Sequence, residues 1–303
     1  MIPALFVLSR TAGAMCGAGL VVLVVSLWVA RGDIGRGRGV EKVAALTYLC
    51  FAVPLAVFGA LHLSDEKSLL ELVPAYMPWR LFWVYFVGVA LIAAALSMAT
   101  KIQVRWSGVG FGAMMFLFVA MLHLPGAIEA GGRIPWTIVF RETSFGGGGL
   151  VLAGIAMGGS GRRLVVVGRV LIAVAAIVFG ILHFLHPLGL PGVPLEKEMP
   201  GWVPGRALID YVTGAGLVVA GGCFLLGRKV RLAATYVGAW IVLMVVVIYV
   251  PVMIGALGDG SSGVQVVGIN YFADTLLFGG VILSVGLAEG ERENRSGYGR
   301  ASD

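Results

Sequence analysis

The chain has 303 residues, 59% of them hydrophobic and only 13% charged, with a formal net charge of +6 and a mean hydropathy of +0.96. Soluble domains carry about 25% charged residues, and no soluble fold of this length hides so much apolar surface, so the composition excludes an ordinary globular protein. The basic residues sit in short clusters between apolar stretches, which is a signal of membrane topology and not of nucleic-acid binding.

A helix needs about 20 mostly apolar residues to cross the hydrocarbon core. Runs of that kind lie near 11–30, 44–63, 80–99, 108–124, 137–158, 164–185, 206–226, 232–254 and 266–288. They predict an all-α, polytopic membrane protein of about nine spans, because backbone polar groups inside a bilayer must be satisfied within the span. The first run is too long for a signal peptide and lacks a small-x-small exit, so it reads as a retained helix. Cys16, Cys50 and Cys223 are isolated within apolar runs, with no spacing that would hold zinc or an iron-sulfur cluster. The polar tail from Glu289 onward is expected to lack structure.

Lys and Arg collect in short loops on the cytoplasmic side. Here they follow the odd-numbered spans: Arg31, Arg36, Arg38 and Lys42; Lys101 and Arg105; Arg162 and Arg163; Arg228, Lys229 and Arg231; Arg292, Arg295 and Arg300. The expected topology in a cell (inner or plasma) membrane therefore has the amino terminus outside and the carboxyl terminus in the cytoplasm.

The chain also repeats itself. Phe58-Gly59-Ala60-Leu61-His62 returns as Phe179-Gly180-Ile181-Leu182-His183, and the Pro74/Pro78 loop returns as Pro200/Pro204. Arg80, Tyr85, Gly88 and Pro125 recur 126 residues later as Arg206, Tyr211, Gly214 and Pro251, while Phe140-Arg141-Glu142-Thr143 is answered by Phe272-Ala273-Asp274-Thr275. Matches in one order predict an extra helix with its basic loop (1–43), a four-helix unit (44–158), a second such unit (159–289) and a polar tail (290–303). Each unit has an even number of spans, so this is a parallel repeat.

The aromatic-Gly-x-x-His helix end, the Pro-x-x-x-Pro loop, the Tyr-x-x-Gly helix and the acidic, Gly-rich fourth helix resemble the DoxX and DoxD-like family of four-helix membrane proteins. This chain looks like two such units in tandem, over some 240 residues. The better-known relatives include a subunit of a thiosulfate to quinone oxidoreductase, so the resemblance implies a role near quinone chemistry, with a partner protein supplying the electron-carrying groups. The chain departs from the pattern by being doubled, by Ala273 in place of a second Arg141, and by Tyr249 in place of a second His123.

Ionisable groups inside a membrane cost ~2.5 to 3.5 kcal/mol at a helix centre and call for an account. His62, Arg80, Tyr85, His123, Arg141 and Glu142 all fall near the same ends of four helices, and His183, His186, Arg206, Asp210, Tyr211, Tyr249, Asn270 and Asp274 do so in the second half. One reading is an outer-side pocket in which Tyr, His and Arg bond the oxygens of a quinone headgroup while Glu142 or Asp274 exchanges protons. The other is structural: Arg141 with Glu142, and Arg206 with Asp210, neutralise charge and pin helices, and a histidine caps its own last turn. Heme is disfavoured, since only His62 with His123 could offer opposed axial ligands. The Gly146–Gly149 run lacks the strand and Lys of a phosphate loop and is expected to pack helices, as are Gly13 with Gly17, Gly108 with Gly112 and Gly154 with Gly158. Three functional classes follow: a quinone-interacting redox subunit, a noncatalytic assembly factor or scaffold, and a small-solute or ion transporter, the last disfavoured by helix centres that look uninterrupted.

Overall fold

The computed structural model describes residues 7–37 and 39–300, with side chains as far as 293; Arg38, Arg295 and Arg300 of the basic loops thus lie outside the described side chains. Among the described residues nine long helices follow one another: α1 (Arg10–Arg36), α2 (Thr47–Ser64), α3 (Arg80–Thr100), α4 (Val104–Ala130), α5 (Arg133–Ala156), α6 (Arg162–Leu185), α7 (Arg206–Leu226), α8 (Val230–Leu257) and α9 (Ser262–Arg300). Eight of them are long and apolar enough to cross a membrane. The other, α5, has 24 residues whose hydropathy is diluted by Arg141, Glu142 and four glycines. Helix α9 runs on to Arg300, so the tail expected to lack structure continues as helix.

Successive helices alternate in direction. Ion pairs between Lys101 and Asp33, Arg231 and Glu41, and Arg231 and Glu293 tie one end together; it is called the basic end, and the opposite one the histidine end. The histidine end is closed by Gln265, which is 1% exposed. Its Oε1 accepts the Ser9 N–H, and its Nε2 donates to the carbonyls of Val7, Leu257 and Asp259. One side chain thereby joins the start of α1 to the α8–α9 turn.

Element boundaries recur at the 126-residue interval. Left-handed residues Trp79, Lys101 and Gln103 precede or follow α3 where Gly205, Gly227 and Lys229 flank α7. Helices α4 and α8 are each broken by a π-helical turn, Val119–His123 and Val245–Tyr249. The cause is local: Pro125 and Pro251 lack an N–H and crowd the carbonyl four residues back, and widening the preceding turn to i→i−5 bonding relieves both. These spans are therefore not uninterrupted.

Packing repeats as well. Helix α2 packs on α3 as α6 packs on α7, α4 on α5 as α8 on α9, and α5 on α6 as α9 on α2. Helix α5 also meets α9, so the two acidic, Gly-rich helices lie side by side at the centre. The four consecutive glycines of α5 meet four different neighbours: a Cβ on Gly146 would lie 2.7 Å from Phe116, on Gly147 2.9 Å from the Gly168 carbonyl, on Gly148 2.6 Å from Val281, and on Gly149 2.7 Å from the Gly108 carbonyl. With no lipid-excluding hydrophobic force between helices, such backbone approach is what holds them. Gly108, Gly112 and Gly154 pack in this way too, but nothing approaches within 4 Å of a Cβ on Gly13 or Gly17.

Candidate functional site at the histidine end

The two repeated histidines are set in place by the Tyr-x-x-Gly motif. A Cβ on Gly88 would lie 2.9 Å from the His62 Cβ, and one on Gly214 3.1 Å from the His183 Cβ, so only glycine lets α3 and α7 come this close. Beyond that the pair diverges. His62 Nδ1 donates to the Phe58 carbonyl of its own helix at 2.8 Å, which closes the last turn of α2.

His183 is fully buried and turned to other groups. Its Nδ1 lies 3.0 Å from Asp210 Oδ1, with both side chains 0% exposed. Neither carboxylate oxygen has an aligned hydrogen bond, so the contact is electrostatic. Its Nε2 lies 3.1 Å from the Gly192 nitrogen and 3.3 Å from the Gly192 carbonyl oxygen, so the ring meets the loop backbone on one side and Asp210 on the other. Asp210 thus pairs with His183, whereas Arg206 donates to the Met199 carbonyl at 3.1 Å.

Gly192 belongs to the α6–α7 loop, which folds into the protein. Leu190, Pro191, Gly192, Val193 and Pro194 are all buried. The Tyr249 hydroxyl donates to the Pro191 carbonyl at 2.8 Å, and Arg133 donates to the Pro194 carbonyl at 2.7 Å. A bridge between Gly189 and Glu198 closes the loop at its neck. Gly192 has φ +110, and a Cβ there would meet Thr275 at 3.0 Å, so the position demands glycine. The loop fills the space between His183, Tyr249 and Thr275 with peptide backbone.

The first half lacks such a plug. Arg80 donates to the Val73 carbonyl at 2.9 Å as Arg206 does to Met199, its counterpart 126 residues on. The segment between the repeated His and Arg is five residues shorter, however, and no residue of 65–79 is buried. His62, His123 and Thr143 are only half-buried, whereas their counterparts His183, Tyr249 and Thr275 are 0%, 1% and 1% exposed.

Arg141 joins the two halves. Its Nη2 lies 2.7 Å from Glu142 Oε1 and its Nη1 2.7 Å from Asp274 Oδ2. Glu142 and Asp274 are equivalent residues of α5 and α9, and with Ala273 opposite Arg141 the two carboxylates share one guanidinium. The triad carries a net negative charge, and His123 lies within reach of the charges on Glu142 and Arg141. The Asn270 Oδ1 is buried without a partner one turn before Asp274. Tyr85 and Tyr211 do not join the clusters: they are 40% and 43% exposed, and Tyr211 stacks on Phe184. His186 is exposed.

Sequence reasoning did not anticipate the plug residues Pro191 and Gly192, the Arg133 clamp or the Gln265 hub. A readable signal was present for the first two, since the repeat interval grows from 121 residues at the histidines to 126 at the following arginines. Among the described residues no three His, Cys, Asp or Glu side chains come together to hold a metal ion. Two cavities, about 230 and 440 Å³, open at the opposite, basic end. In comparisons with known proteins, no family model matches the chain, and no curated protein or solved structure is similar to it.

Proposed function

We propose that this integral membrane protein is a quinone-interacting subunit of a membrane redox system, built from two DoxX-like four-helix units after an extra first helix, with the basic end cytoplasmic and the histidine end outside. The observation that carries the reading is the contrast between the halves. In the second unit His183 and Tyr249 hold the amide and carbonyl groups of residues 191 and 192. The equivalent residues of the first unit, His62 and His123, are only half-buried and have no such loop folded over them, and His123 lies near the charges of Arg141 and Glu142. A flat headgroup with carbonyl or hydroxyl oxygens has the size and polarity of the peptide units that fill the second site, and its isoprenoid tail would leave through the lipid-facing helices. Ring N–H groups and the Arg141 guanidinium would bond the oxygens, and Glu142 would pass protons to the aqueous side. A redox partner would supply electrons.

The test is binding of a short-chain quinone to the purified protein in mild detergent, read by tryptophan quenching. His62→Ala with His123→Ala is expected to weaken binding at least tenfold, and His186→Ala, at an exposed position, to leave it unchanged. Equal binding by all three proteins, or none by the wild type, overturns the reading. A scaffold role is the second reading, favoured by one observation: Arg141 is fully engaged by Glu142 and Asp274, as a residue that only clamps two units would be.

A further inference from the structure

At the basic end, the turn joining α5 to α6 and the last turns of α9 enclose the cavity of about 230 Å³. Its walls carry three guanidinium groups, Arg162, Arg169 and Arg292, against the carboxylates of Glu289 and Glu291. Arg169 and Arg292 both bond Glu289, at 3.1 and 3.2 Å on its two oxygens. The cavity therefore keeps an excess positive charge. Arg169 is the inner member, its side chain 15% exposed, and its Nε–H is buried with no partner. That Nε–H has no surface open to the cavity, so an anionic oxygen there would be held by the exposed guanidinium groups of Arg162 and Arg292 at the rim. The remainder of the wall is bare backbone at Gly158 and Gly159 and the apolar faces of Val165 and Val166.

The cavity of about 440 Å³ at the same end is lined by other elements, with Tyr48, Lys101, Arg105 and Ala156 among its walls. There Lys101 is taken up by Asp33 at 2.6 Å and the Tyr48 ring at 5.1 Å, and Arg105 lies over the Trp106 ring at 4.8 Å.

We infer that the α5–α6–α9 cavity binds a phosphate group, with the phosphodiester headgroup of an anionic phospholipid as the source. It lies at the ends of apolar spans, at headgroup level, and joins a cationic floor to an apolar wall where a glycerol backbone and acyl chain would continue. This inference is independent of the quinone reading.

Native mass spectrometry of the full chain in detergent tests it, with added phosphatidylglycerol, phosphatidylcholine or inorganic phosphate. One phosphatidylglycerol per chain is expected to survive activation, at least fivefold more than phosphatidylcholine. Arg162→Gln with Arg292→Gln, at the rim, should reduce that retention at least fivefold; Arg228→Gln, on an exposed basic loop, should not. Binding of inorganic phosphate alone, lost in the same rim variant, supports the site and assigns the free anion as its ligand. Equal retention of both lipids, or of phosphatidylglycerol by all three proteins, overturns the inference.

Discussion

The Tyr249 hydroxyl holds the Pro191 carbonyl at 2.8 Å, while 126 residues earlier His123 occupies the same place in the same kind of π-turn beneath a loop that stays on the surface. Removing the hydroxyl leaves a buried carbonyl unsatisfied, at a cost of about 1 to 3 kcal/mol. Tyr249→Phe is thus expected to lower the thermal midpoint in detergent and to speed hydrogen exchange at residues 190, 192 and 193, with the 65–79 loop unaffected. Unchanged protection at 190–193 would mean that the plug is held by apolar burial alone.

Arg141 is bonded to both Glu142 and Asp274. Arg141→Gln strands two carboxylates, and breaking a buried pair in this way costs about 3 to 5 kcal/mol. Adding Glu142→Gln and Asp274→Asn removes the stranded charges and should recover most of that loss, a coupling that unfolding measurements on the variant series would expose. Additive losses would show that the three side chains do not act as one unit.

The glycine run of α5 yields a paired expectation. A methyl at residue 148 meets Val281 at 2.6 Å and Phe51 at 2.9 Å, whereas one at residue 17 meets nothing within 4 Å. Gly148→Ala should destabilise by about 1 to 3 kcal/mol through overpacking, and Gly17→Ala should be neutral or stabilising by up to about 1 kcal/mol through helix propensity. Thermal unfolding of the two proteins side by side decides it; equal midpoints would contradict the central packing of α5.

Much of this was readable beforehand. Apolar runs located the helices because a span must satisfy its own backbone, and the repeated segments matched His62 to His183 and Gly88 to Gly214, whereas the packing of each histidine on its glycine appears only in the structure. The Glu142–Arg141 pair was legible as neighbours in sequence, but the Asp274 contact depends on α5 lying against α9, which no local pattern encodes. The Pro200/Pro204 segment read only as a loop, and the burial of residues 190–194 before it rests in part on carbonyl contacts with Tyr249 and Arg133 on distant helices. On the structural reading Arg206 would pair with Asp210, one turn away, but it donates to the Met199 carbonyl while Asp210 turns inward to His183.

Topology has its own check. Cysteines introduced at Ser261 and Ser160, in a background without Cys16 and Cys223, mark the histidine end and the basic end. In intact cells a membrane-impermeant maleimide should label Ser261→Cys and spare Ser160→Cys until the membrane is opened. The reverse pattern would invert the orientation.

Photolabelling with an azido-quinone followed by peptide mapping separates a first half that takes a quinone headgroup from a second half filled by its own loop. About one label per wild-type chain is expected, on peptides carrying His62, His123 or Arg141 and displaced by excess native quinone, with a second site appearing around His183 and Tyr249 once residues 190–194 are deleted. Labelling of the wild type around His183 and Tyr249, or labelling that excess quinone fails to displace, would contradict it.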